Sequence, residues 1–407
     1  MTVRPPGSKS HTIRALFAAA GATGVSALSG PLDSDDTQRA RECLAALGAG
    51  FNETGGVWSV TGLGGGFGAP GGPLDAGESG LTARFLMALT PFIPAAVVIE
   101  GRGRLPERPM DALLDNLAGR GAEIGAGYPW RIDATAAGKA GRLLVDAATS
   151  SQMVSALMLA APLADEPTEL VVTNMDSSAQ YVALTTEVME AFGAQVDTTA
   201  AGYRIEGGGY AATTYEVPID ASSAVYPACA AALTGGVVEV LGDMGNHPDR
   251  RIVDVLVEMG CSAETTPDGM TVHGPARLVP IDVDMSSAPD AAVCLAIVCA
   301  RAAGSSRISG LESLRHKESD RLSALHTELT RFGASIVTDS DSIEIAPGVA
   351  APVEFEVYND HRIAMSLALL GLVVGGVTVR NPEVVNKTWP GYWEWLASTG
   401  AVLTKSE

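Results

Sequence analysis

Basic side chains of this chain are concentrated in motifs where helices are predicted to begin. Lys9 and Arg14 lie five residues apart at the first such start, one a compact cation and the other a bidentate fork. A helix start carries roughly half a positive charge and unpaired N–H groups, so it normally attracts acids or bound anions. Cations at the same place are explained if an anion is bound there. Eight of the 27 basic residues fall in these motifs: Lys9, Arg14, Arg84, Arg108, Lys317, Arg321, Arg362 and Lys387.

Other interpretations stay open for each motif taken alone. Ser, Thr and Asp residues at a helix start are ordinary N-caps. A cation can equally form a surface ion pair worth under about 1 kcal/mol. The segment Gly7-Ser8-Lys9-Ser10 is not a nucleotide phosphate loop, because Ser8 separates the glycine from the lysine.

Two carboxylates in the same motifs are candidates for proton transfer. Asp290 opens the fifth apolar helix, and Glu318 follows Lys317 directly. A carboxylate among cations normally stays ionised, so an acid role requires burial or substrate charge to raise its pKa. For Asp290 taken alone, a simple N-cap is the alternative interpretation.

The motifs belong to two interleaved series, each of which steps by about seventy residues, longer than the period of a solenoid repeat. Apolar runs with polar first turns begin near Lys9, Gly80, Ser151, Ser223, Asp290 and Asp360. Amphipathic runs end at Gly48, Gly121, Gly193, Gly260, Gly333 and Gly400. The sequence therefore predicts six related units in one pseudo-symmetric α/β protein.

The first unit provides a template for the others. We predict a strand that ends at Arg4, helices over 10–20 and 35–47, and strands over 25–28, 50–52 and 57–60. The order is strand, helix, strand, helix, strand, strand. Six units divide into three and three, which predicts an N-terminal domain over 9–217 and a C-terminal domain over 218–407 with 1–8. A cleft between two domains is a favoured place for a small ligand.

Composition limits the possible partners. The chain has 47 acidic and 27 basic residues, a net charge of −20, which argues against nucleic acid or an anionic membrane as the main partner. Its five cysteines and six histidines show no metal-ligand or redox spacing, so no metal site is expected. We find no signal segment and no apolar run that is convincing as a membrane span, and we expect a cytoplasmic protein.

Taken together, the motifs resemble those of the 5-enolpyruvylshikimate-3-phosphate (EPSP) synthase family, in the same order and through essentially the whole chain. The most specific are Lys9-Ser10 with Arg14, 150–152, 317–321, 360–362 and 387–390. The resemblance implies two domains, each of three β-α-β-α-β-β units, with the active site in the interdomain cleft. It also implies transfer of the enolpyruvyl group of phosphoenolpyruvate to the 5-hydroxyl of shikimate 3-phosphate, a step of aromatic amino-acid biosynthesis that releases phosphate and needs no metal or organic cofactor.

The same resemblance implies a role for each motif residue. The shikimate 3-phosphate ligands would be Lys9, Ser10, Arg14, Ser150, Ser151, Gln152, Ser178, Tyr181, Asp290, Ser313 and Lys317. The phosphoenolpyruvate ligands would be Lys9, Gly80, Arg84, Arg108, Gln152, Arg321, Arg362 and Lys387. Asp290 would take the proton of the attacking hydroxyl. Glu318, with Lys9, would protonate the methylene carbon, giving an oxocarbenium-like centre and then a tetrahedral intermediate.

The chain departs from the family pattern in some of these motifs. Glu78 and Leu81 stand where Asn and Thr are usual, and Ser313 stands where many members have Asn. Ala179-Gln180 replaces the usual Lys/Arg-Pro. Members also usually carry a further strand and turn at the N-terminus, a strand of the C-terminal half, so we expect either a weaker sheet edge there or a start placed too late.

Two other functions would use the same fold. UDP-N-acetylglucosamine enolpyruvyl transferase would show Lys-Asn in place of Lys9-Ser10 and a reactive Cys in a mobile loop, but residues 101–125 contain no Cys. A non-catalytic sugar-phosphate-binding protein would have lost its proton-transfer groups, whereas Lys9, Asp290 and Glu318 are all present. We therefore expect a monomeric enzyme whose partners are two small-molecule substrates, with no nucleic acid and no membrane.

Overall fold

A computed structural model describes residues 1–148, 150–174 and 179–401 of the 407-residue chain. The chain divides into two compact units. The N-terminal unit is Gly7–Val217, and the C-terminal unit is Met1–Pro6 together with Pro218–Glu407. The C-terminal unit therefore takes residues from both ends of the sequence. The roles that the sequence suggests for the two domains stay predictions.

Each unit contains helices of two kinds, which alternate along the chain. In the N-terminal unit they are α1 (Lys9–Gly21), α2 (Asp35–Ala46), α3 (Gly80–Leu89), α4 (Asp111–Gly119), α5 (Gln152–Ala160) and α6 (Ala179–Ala191). In the C-terminal unit they are α7 (Ala221–Thr234), α8 (Arg251–Glu258), α9 (Pro289–Cys299), α10 (Arg321–Phe332), α11 (His361–Ala368) and α12 (Tyr392–Ser398). The odd-numbered helices are the predicted apolar runs, and the even-numbered ones are the runs predicted to end at a glycine.

The strands are short. In the N-terminal half of the sequence they are β1 (Thr2–Val3), β2 (Ala22–Ser29), β3 (Gly50–Thr54), β4 (Val57–Leu63), β5 (Leu74–Asp75), β6 (Val97–Glu100), β7 (Glu123–Ile124), β8 (Trp130–Asp133), β9 (Gly141–Asp146), β10 (Thr168–Thr173), β11 (Val196–Thr199), β12 (Gly202–Ile205), β13 (Tyr210–Ala211) and β14 (Thr214–Glu216). The remaining strands are β15 (Val237–Leu241), β16 (Ser262–Thr266), β17 (Gly269–His273), β18 (Asp282–Asp284), β19 (Ser306–Ser309), β20 (Ser335–Thr338), β21 (Ile343–Ala346), β22 (Glu354–Phe355) and β23 (Thr378–Val379).

One strand pattern recurs among the described residues. In the sheets β5-β6-β8-β7, β9-β10-β12-β11 and β18-β19-β21-β20, the first two strands run parallel and the last two form an antiparallel hairpin whose second strand lies inside. The parallel pair is joined through a helix, and the hairpin is reached through a second helix, so each sheet follows the predicted order β-α-β-α-β-β. The predicted α/β class is confirmed.

The sheets of the first and fourth units exchange their leading strands. The sheet of the first unit is β13-β2-β4-β3, with β14 also paired to β2, and the sheet of the fourth unit is β1-β15-β17-β16. The template placed the strand before α1 in the first unit, but β1 pairs with β15, with Thr2 opposite Glu239 and Val3 opposite Val240. The parallel neighbours of β2 are instead β13 and β14, which follow the third unit. Both sheets therefore still have a parallel leading strand, and in each case that strand belongs to the same compact unit as the rest of its sheet.

The glycine stops of the even-numbered helices have the conformation that favours glycine. Gly48 has a φ of 108°, and the corresponding glycines of the other five units range from 83° to 109°. A residue with a side chain is strained in this left-handed region, so glycine ends a helix there at low conformational cost. The predicted series of six helix ends is confirmed by Gly48, Gly121, Gly193, Gly260, Gly333 and Gly400.

The odd-numbered helices form the cores. In the N-terminal unit α1 packs against α3 and α5, and in the C-terminal unit α9 packs against α7 and α11. Every residue of α3 is buried, and the cores consist chiefly of Ala, Val, Leu, Ile and Met side chains. Such helices are largely apolar, and the polar side chains of α1, α3 and α5 lie in the N-terminal half of each helix. Within the described residues, no helix is both long and apolar enough to cross a membrane.

Candidate active site

Lys9, the first residue of α1, is paired with an acid of the following helix. Its Nζ lies 3.0 Å from Oδ2 of Asp36 in α2, and only 17% of the Lys9 side chain and 6% of the Asp36 side chain are exposed. The alternative that Lys9 is a surface cation is therefore wrong. The sequence does not single out Asp36, because Asp35 and Asp36 together are typical of any helix start.

Arg14, one and a half turns further along α1, is buried among oxygen acceptors. Its Nε donates to Oγ1 of Thr185 (2.8 Å) and its Nη1 to the carbonyl of Ser10 (2.9 Å). Its Nη2 donates to Oγ of Ser155 and to the carbonyl of Tyr181, both at 3.3 Å. Burial lowers the pKa of Arg14 to about 10, so the side chain is still a cation at neutral pH. Arg14 thus links α1 to α5 and α6.

Arg84 makes the corresponding link between α3 and α5. Its Nη1 donates to Oε1 of Gln152 at 2.8 Å and to the carbonyl of Gly80 at 3.2 Å, and its Nη2 donates to the carbonyl of Pro109 at 2.8 Å. Arg108 lies beside the same glycine, because a Cβ added to Gly80 would come within 2.6 Å of Cζ of Arg108. Four predicted phosphoenolpyruvate ligands therefore lie together at the starts of α3 and α5.

The serines predicted as phosphate ligands lie at the start of α5. Ser151 is its N-cap residue and is buried, and Oγ of Ser150 accepts a hydrogen bond from the Gln152 N–H at 3.2 Å. Tyr181 lies in α6, where its carbonyl accepts from Arg14. Ser178 lies outside the described residues, so its predicted role stays a prediction.

The two family departures near Gly80 have different surroundings. Leu81 is 8% exposed and belongs to the apolar core of the N-terminal unit. The carboxyl of Glu78 lies beside the backbone of Gly103, because a Cβ added to Gly103 would come within 3.0 Å of its Cδ. Gly103 has a φ of 61°, and it stands in the segment that leads from β6 to Arg108.

The C-terminal unit gathers three cations around one carboxylate. Oδ1 of Asp290 lies 2.8 Å from Nη1 of Arg321 and 3.3 Å from Nζ of Lys317, and Oδ2 lies 3.2 Å from Nη2 of Arg362. Burial alone would raise the pKa of Asp290, but the charges of Arg362, Lys317 and Arg321 outweigh it and hold this pKa well below its usual value. The carboxylate is therefore ionised at neutral pH. The alternative that Asp290 is a simple N-cap is wrong, because Ala288 caps α9.

Arg321 is shared among three acids. Its Nε and Nη2 donate to the carboxylate of Asp360 at 2.8 and 3.2 Å, and its Nη2 also donates to Oε2 of Glu318 at 2.8 Å. Burial would lower the pKa of Arg321, but Asp360, Glu318 and Asp290 raise it. Nζ of Lys387 lies 3.7 Å from Oε1 of Glu318, so a cation faces each oxygen of that carboxylate.

Asp360 has a structural role that the sequence does not reveal. It is fully buried, it caps α11 by accepting from the Arg362 N–H at 2.9 Å, and it accepts from Oγ of Ser319 at 2.9 Å. Its position before His361 and Arg362 is visible in the sequence, but an Asp at a helix start has no signal that distinguishes a cap from an ion-pair partner.

Three predicted cations are not in the first turn of a helix. Arg108 precedes α4 by three residues, Lys317 precedes α10 by four, and Lys387 ends a 3₁₀ helix ahead of α12. The predicted placement at helix starts is wrong for these three, because a 3₁₀ turn lies before each even-numbered helix concerned. Ser313 lies in one of these turns, Glu312–His316, and is half-buried.

Two observations bear on other kinds of site. The described residues hold no group of three or more His, Cys, Asp or Glu side chains placed to bind a metal ion. A cavity of about 880 Å³ in the C-terminal unit is lined by apolar groups such as Val237, Leu372 and Leu396. None of the described residues that line it is a predicted site residue.

The arrangement suits the binding of multiply charged anions. Each unit holds several buried cations whose present partners are its own carboxylates or carbonyl oxygens. In the C-terminal unit, Asp290 and Glu318 are carboxylates in direct contact with those cations. The structure brings together Gly80, Arg84, Arg108 and Gln152 in one unit, and Asp290, Lys317, Glu318, Arg321, Arg362 and Lys387 in the other.

Comparison with known proteins gives one consistent family. The sequence model described as EPSP synthase (3-phosphoshikimate 1-carboxyvinyltransferase) matches residues 1–396. The 3-phosphoshikimate 1-carboxyvinyltransferase of Methanoculleus marisnigri is 38% identical over 405 residues, which cover 97% of this chain and 96% of the relative. That of Rhizobium leguminosarum bv. trifolii is 35% identical over 411 residues, which cover 97% of this chain and 93% of the relative.

Solved structures have the same fold. An EPSP synthase from Acinetobacter baumannii superimposes with a TM-score of 0.84 at 26% identity, covering 100% of this chain and 97% of that one. The enolpyruvyl transferase NikO from Streptomyces tendae superimposes with a TM-score of 0.77 at 18% identity, covering 99% and 95%, and shows similarity of fold alone. On the family match and the full-length relatives, the chain belongs to the EPSP synthase family.

Proposed function

We propose that this chain is a 3-phosphoshikimate 1-carboxyvinyltransferase, the activity named for its relatives. The enolpyruvyl group of phosphoenolpyruvate is transferred to the 5-hydroxyl of shikimate 3-phosphate, and phosphate is released. The observation that carries the proposal is the carboxylate of Asp290, which lies within 3.3 Å of Lys317, Arg321 and Arg362. Two anionic substrates repel each other, and such a concentration of cations offsets that repulsion.

The cations of the C-terminal unit are assigned to phosphoenolpyruvate. Arg321, Arg362 and Lys387 bind its carboxylate and phosphate, and Lys317 lies near the acceptor sugar. In the present structure these cations are neutralised by Asp290, Glu318 and Asp360. When substrate oxygens take over part of their charge, the pKa of Asp290 rises toward the range in which a carboxylate can accept a proton.

Asp290 and Glu318 are assigned to proton transfer. In the addition step the 5-hydroxyl oxygen of shikimate 3-phosphate forms a bond to C2 of phosphoenolpyruvate, and Asp290 takes the proton of that hydroxyl. The electron pair of the C2–C3 double bond takes a proton from Glu318, which acts in its protonated form once the substrates have taken over the charge of Arg321 and Lys387. Lys9 assists this transfer, which leaves a methyl group on a tetrahedral intermediate. In the elimination step the bond from C2 to the phosphate oxygen breaks, and the departing phosphate takes the proton held by Asp290. Glu318 takes back a methyl proton, which restores the C2–C3 double bond and returns both carboxyl groups to their starting states.

The N-terminal unit is assigned mainly to shikimate 3-phosphate. Its phosphate is held at the start of α5 by Ser150, Ser151 and Gln152, where the positive end of the helix dipole favours an anion. The other residues assigned to shikimate 3-phosphate are Ser10, Arg14, Ser178 and Tyr181 of the N-terminal unit and Ser313 of the C-terminal unit. The residues of this unit that are assigned to phosphoenolpyruvate are Lys9, Gly80, Arg84, Arg108 and Gln152. Buried and already oriented by its neighbours, Arg84 supports Gln152 at 2.8 Å.

Phosphate release tests the function directly. The purified chain is incubated with phosphoenolpyruvate and either shikimate 3-phosphate or UDP-N-acetylglucosamine, and inorganic phosphate is measured with time. We expect release with shikimate 3-phosphate only. Release with UDP-N-acetylglucosamine, or no release with either acceptor while phosphoenolpyruvate still binds, contradicts the proposal in favour of the sister activity or of a binding protein.

A cytoplasmic location and a monomeric state, both expected from the sequence, stay predictions. Sedimentation of the purified chain at several concentrations, with and without both substrates, tests the monomer. A mass near 41.8 kDa at all concentrations is expected, and a concentration-dependent increase contradicts it.

A further inference from the structure

A turn of unusual backbone geometry stands directly before the motif that contains Asp360 and Arg362. Tyr358 and Asn359 both have a φ of 54°, in the left-handed region that residues with side chains rarely adopt. Two consecutive residues in this region keep their conformation only if their surroundings enforce it. A hydrogen bond from the Asp360 N–H to the carbonyl of Val357 at 2.8 Å closes the turn.

The turn determines where Asp360 lies. Asp360 is the next residue along the chain, and its carboxylate caps α11 through the Arg362 N–H. The same carboxylate accepts from Nε of Arg321 at 2.8 Å and from Oγ of Ser319 at 2.9 Å. A change in the turn would therefore move a fully buried acid that contacts the two arginines assigned above to phosphoenolpyruvate.

Helix α10 holds the turn at a second point. Glu328 follows Arg321 by seven residues, or two helical turns, so both side chains lie on one face of α10. Oε1 of Glu328 accepts a hydrogen bond from the hydroxyl of Tyr358 at 2.7 Å, and its Oε2 accepts from the Glu356 N–H at 3.3 Å. Arg321 thus reaches Asp360 at one end of the turn while Glu328 reaches Tyr358 at the other.

Glu328 is suited to this contact. Only 1% of the side chain is exposed, although a carboxylate is rarely buried unless it is paired. Oε2 also receives the Nη1 group of Arg331 from the next turn of α10, which supplies the compensating charge. Burial, together with the neighbouring Glu328 carboxylate, raises the pKa of Tyr358 to about 12, so at neutral pH the hydroxyl is protonated and donates.

We propose that Tyr358 and Glu328 are positioning residues that hold the turn before Asp360, and thereby set the positions of Arg321 and Arg362 for phosphoenolpyruvate. Within the described part of the chain, neither side chain forms a hydrogen bond or ion pair with a predicted ligand-binding residue, so their effect passes through the turn. A purely structural role would change the stability of the chain and leave the affinity for substrate unaltered. The inference rests on the proposed function, since it assigns the two arginines to that substrate.

The first test removes the hydroxyl alone. Tyr358→Phe keeps the ring but leaves Oε1 of Glu328 without its donor. We expect the KM for phosphoenolpyruvate to rise roughly tenfold, as the loss of about one hydrogen bond implies, while the KM for shikimate 3-phosphate changes much less. The matched control is Tyr203→Phe, a half-buried tyrosine of β12 whose hydroxyl has no hydrogen bond among the described residues, and it should leave both constants unchanged.

The second test follows the same contact from the other side. In Glu328→Gln the amide oxygen can still accept from Tyr358, so we expect only a small rise in KM. Glu328→Ala removes the acceptor, and in the double variant of Glu328→Ala with Tyr358→Phe the effects should not add, because both changes remove the same hydrogen bond. Additive effects, or a Tyr358→Phe variant with unchanged KM and reduced resistance to urea, would overturn the positioning role.

The third test alters the turn without touching Glu328. Asn359→Gly and Asn359→Val remove the same amide, but glycine accepts a positive φ whereas β-branched valine opposes it. We expect Asn359→Val to raise the KM for phosphoenolpyruvate clearly more than Asn359→Gly does, because both variants lose the amide but only valine opposes the positive φ. Equal behaviour of the two variants contradicts the role of the turn.

Wild-type turnover in the same series tests the proposed function separately. If the wild type releases no phosphate, binding of phosphoenolpyruvate is measured by calorimetry for the wild type and for Tyr358→Phe. Weaker binding in the variant then supports the positioning role although the activity has failed. Equal binding overturns the positioning role.

Discussion

Gln152 Oε1 accepts a hydrogen bond of 2.8 Å from Nη1 of Arg84, which connects the first residue of α5 to the middle of α3. Both residues are predicted to bind phosphoenolpyruvate. Arg84 is 1% exposed, and its guanidinium also donates to the carbonyls of Gly80 and Pro109. Arg84 therefore keeps Gln152 oriented.

Gln152→Ala removes the acceptor of that hydrogen bond and one predicted ligand group. We expect kcat/KM for phosphoenolpyruvate to fall by roughly ten- to a hundredfold, because a buried guanidinium loses a partner along with the ligand contact. Steady-state kinetics at saturating shikimate 3-phosphate measures the effect. Gln195→Ala, at an exposed position of the same unit, should retain wild-type kinetics. Normal kinetics in Gln152→Ala would remove it from the site.

Asp36→Asn weakens the ion pair that holds Lys9. The amide keeps the shape of the carboxylate but loses its charge, so Lys9 is less firmly placed, and we expect kcat/KM to fall about tenfold. The neighbour Asp35 is exposed at the same helix start, which makes Asp35→Asn the matched control with no expected change. Equal activities of the two variants would show that the pair at 3.0 Å does not orient Lys9.

Gly80→Ala introduces a methyl group where there is no room for one. The added Cβ would come within 2.6 Å of Arg108 and 2.7 Å of Arg84, so one guanidinium must move. We expect the KM for phosphoenolpyruvate to rise roughly tenfold with a smaller change in kcat, because binding geometry is altered more than proton transfer. Gly72→Ala, where no atom lies within 4 Å of the added carbon, should be neutral. A wild-type KM in Gly80→Ala would mean that Arg108 is not a ligand.

Asp290→Asn should change the acid stability of the chain as well as its activity. The pKa of Asp290 is held below its unfolded value of about 3.9, so its ionised form stabilises the folded state above about pH 4. That contribution is lost as the pH falls from about 4 through the folded-state pKa. We expect the free energy of unfolding in urea at pH 7 to be about 1–3 kcal/mol lower for the variant than for the wild type. Between pH 4 and lower pH, this free energy should fall less for the variant than for the wild type.

Activity of Asp290→Asn is measured with both substrates at pH 7. We expect kcat to fall by about 10²–10⁴-fold, the usual contribution of a general base. Urea unfolding at pH 7 and pH 3 gives the stability part, with Asp282→Asn, an exposed acid in β18, as the control. Parallel pH profiles for wild type and variant would contradict the lowered pKa.

Repetition made the architecture accessible from the sequence. Six glycines spaced by about seventy residues predict six helix ends, and each has the positive φ that the prediction requires. The first unit's helices over 10–20 and 35–47 correspond to Lys9–Gly21 and Asp35–Ala46. Local signals such as caps, apolar runs and turn residues determine these features, and they can be read without knowledge of distant contacts.

Long-range partners could not be predicted in the same way. Asp36, Asp360 and Glu328 are ordinary helix residues in the sequence, and their significance depends on which cation or hydroxyl the fold brings to them. The exchange of β1 for β13 and β14 is of the same kind, since strand pairing across two hundred residues leaves no local trace. The resemblance identified the residues, and the structure identified what they contact.

The pairing of β1 with β15 has a consequence for how the chain is made. Met1 donates its terminal ammonium to the carbonyl of Val237, 236 residues later. The opening residues leave the ribosome long before the strand that they must join has been synthesised. The sheet that contains β1 and β15 can therefore be completed only after β15 has been synthesised.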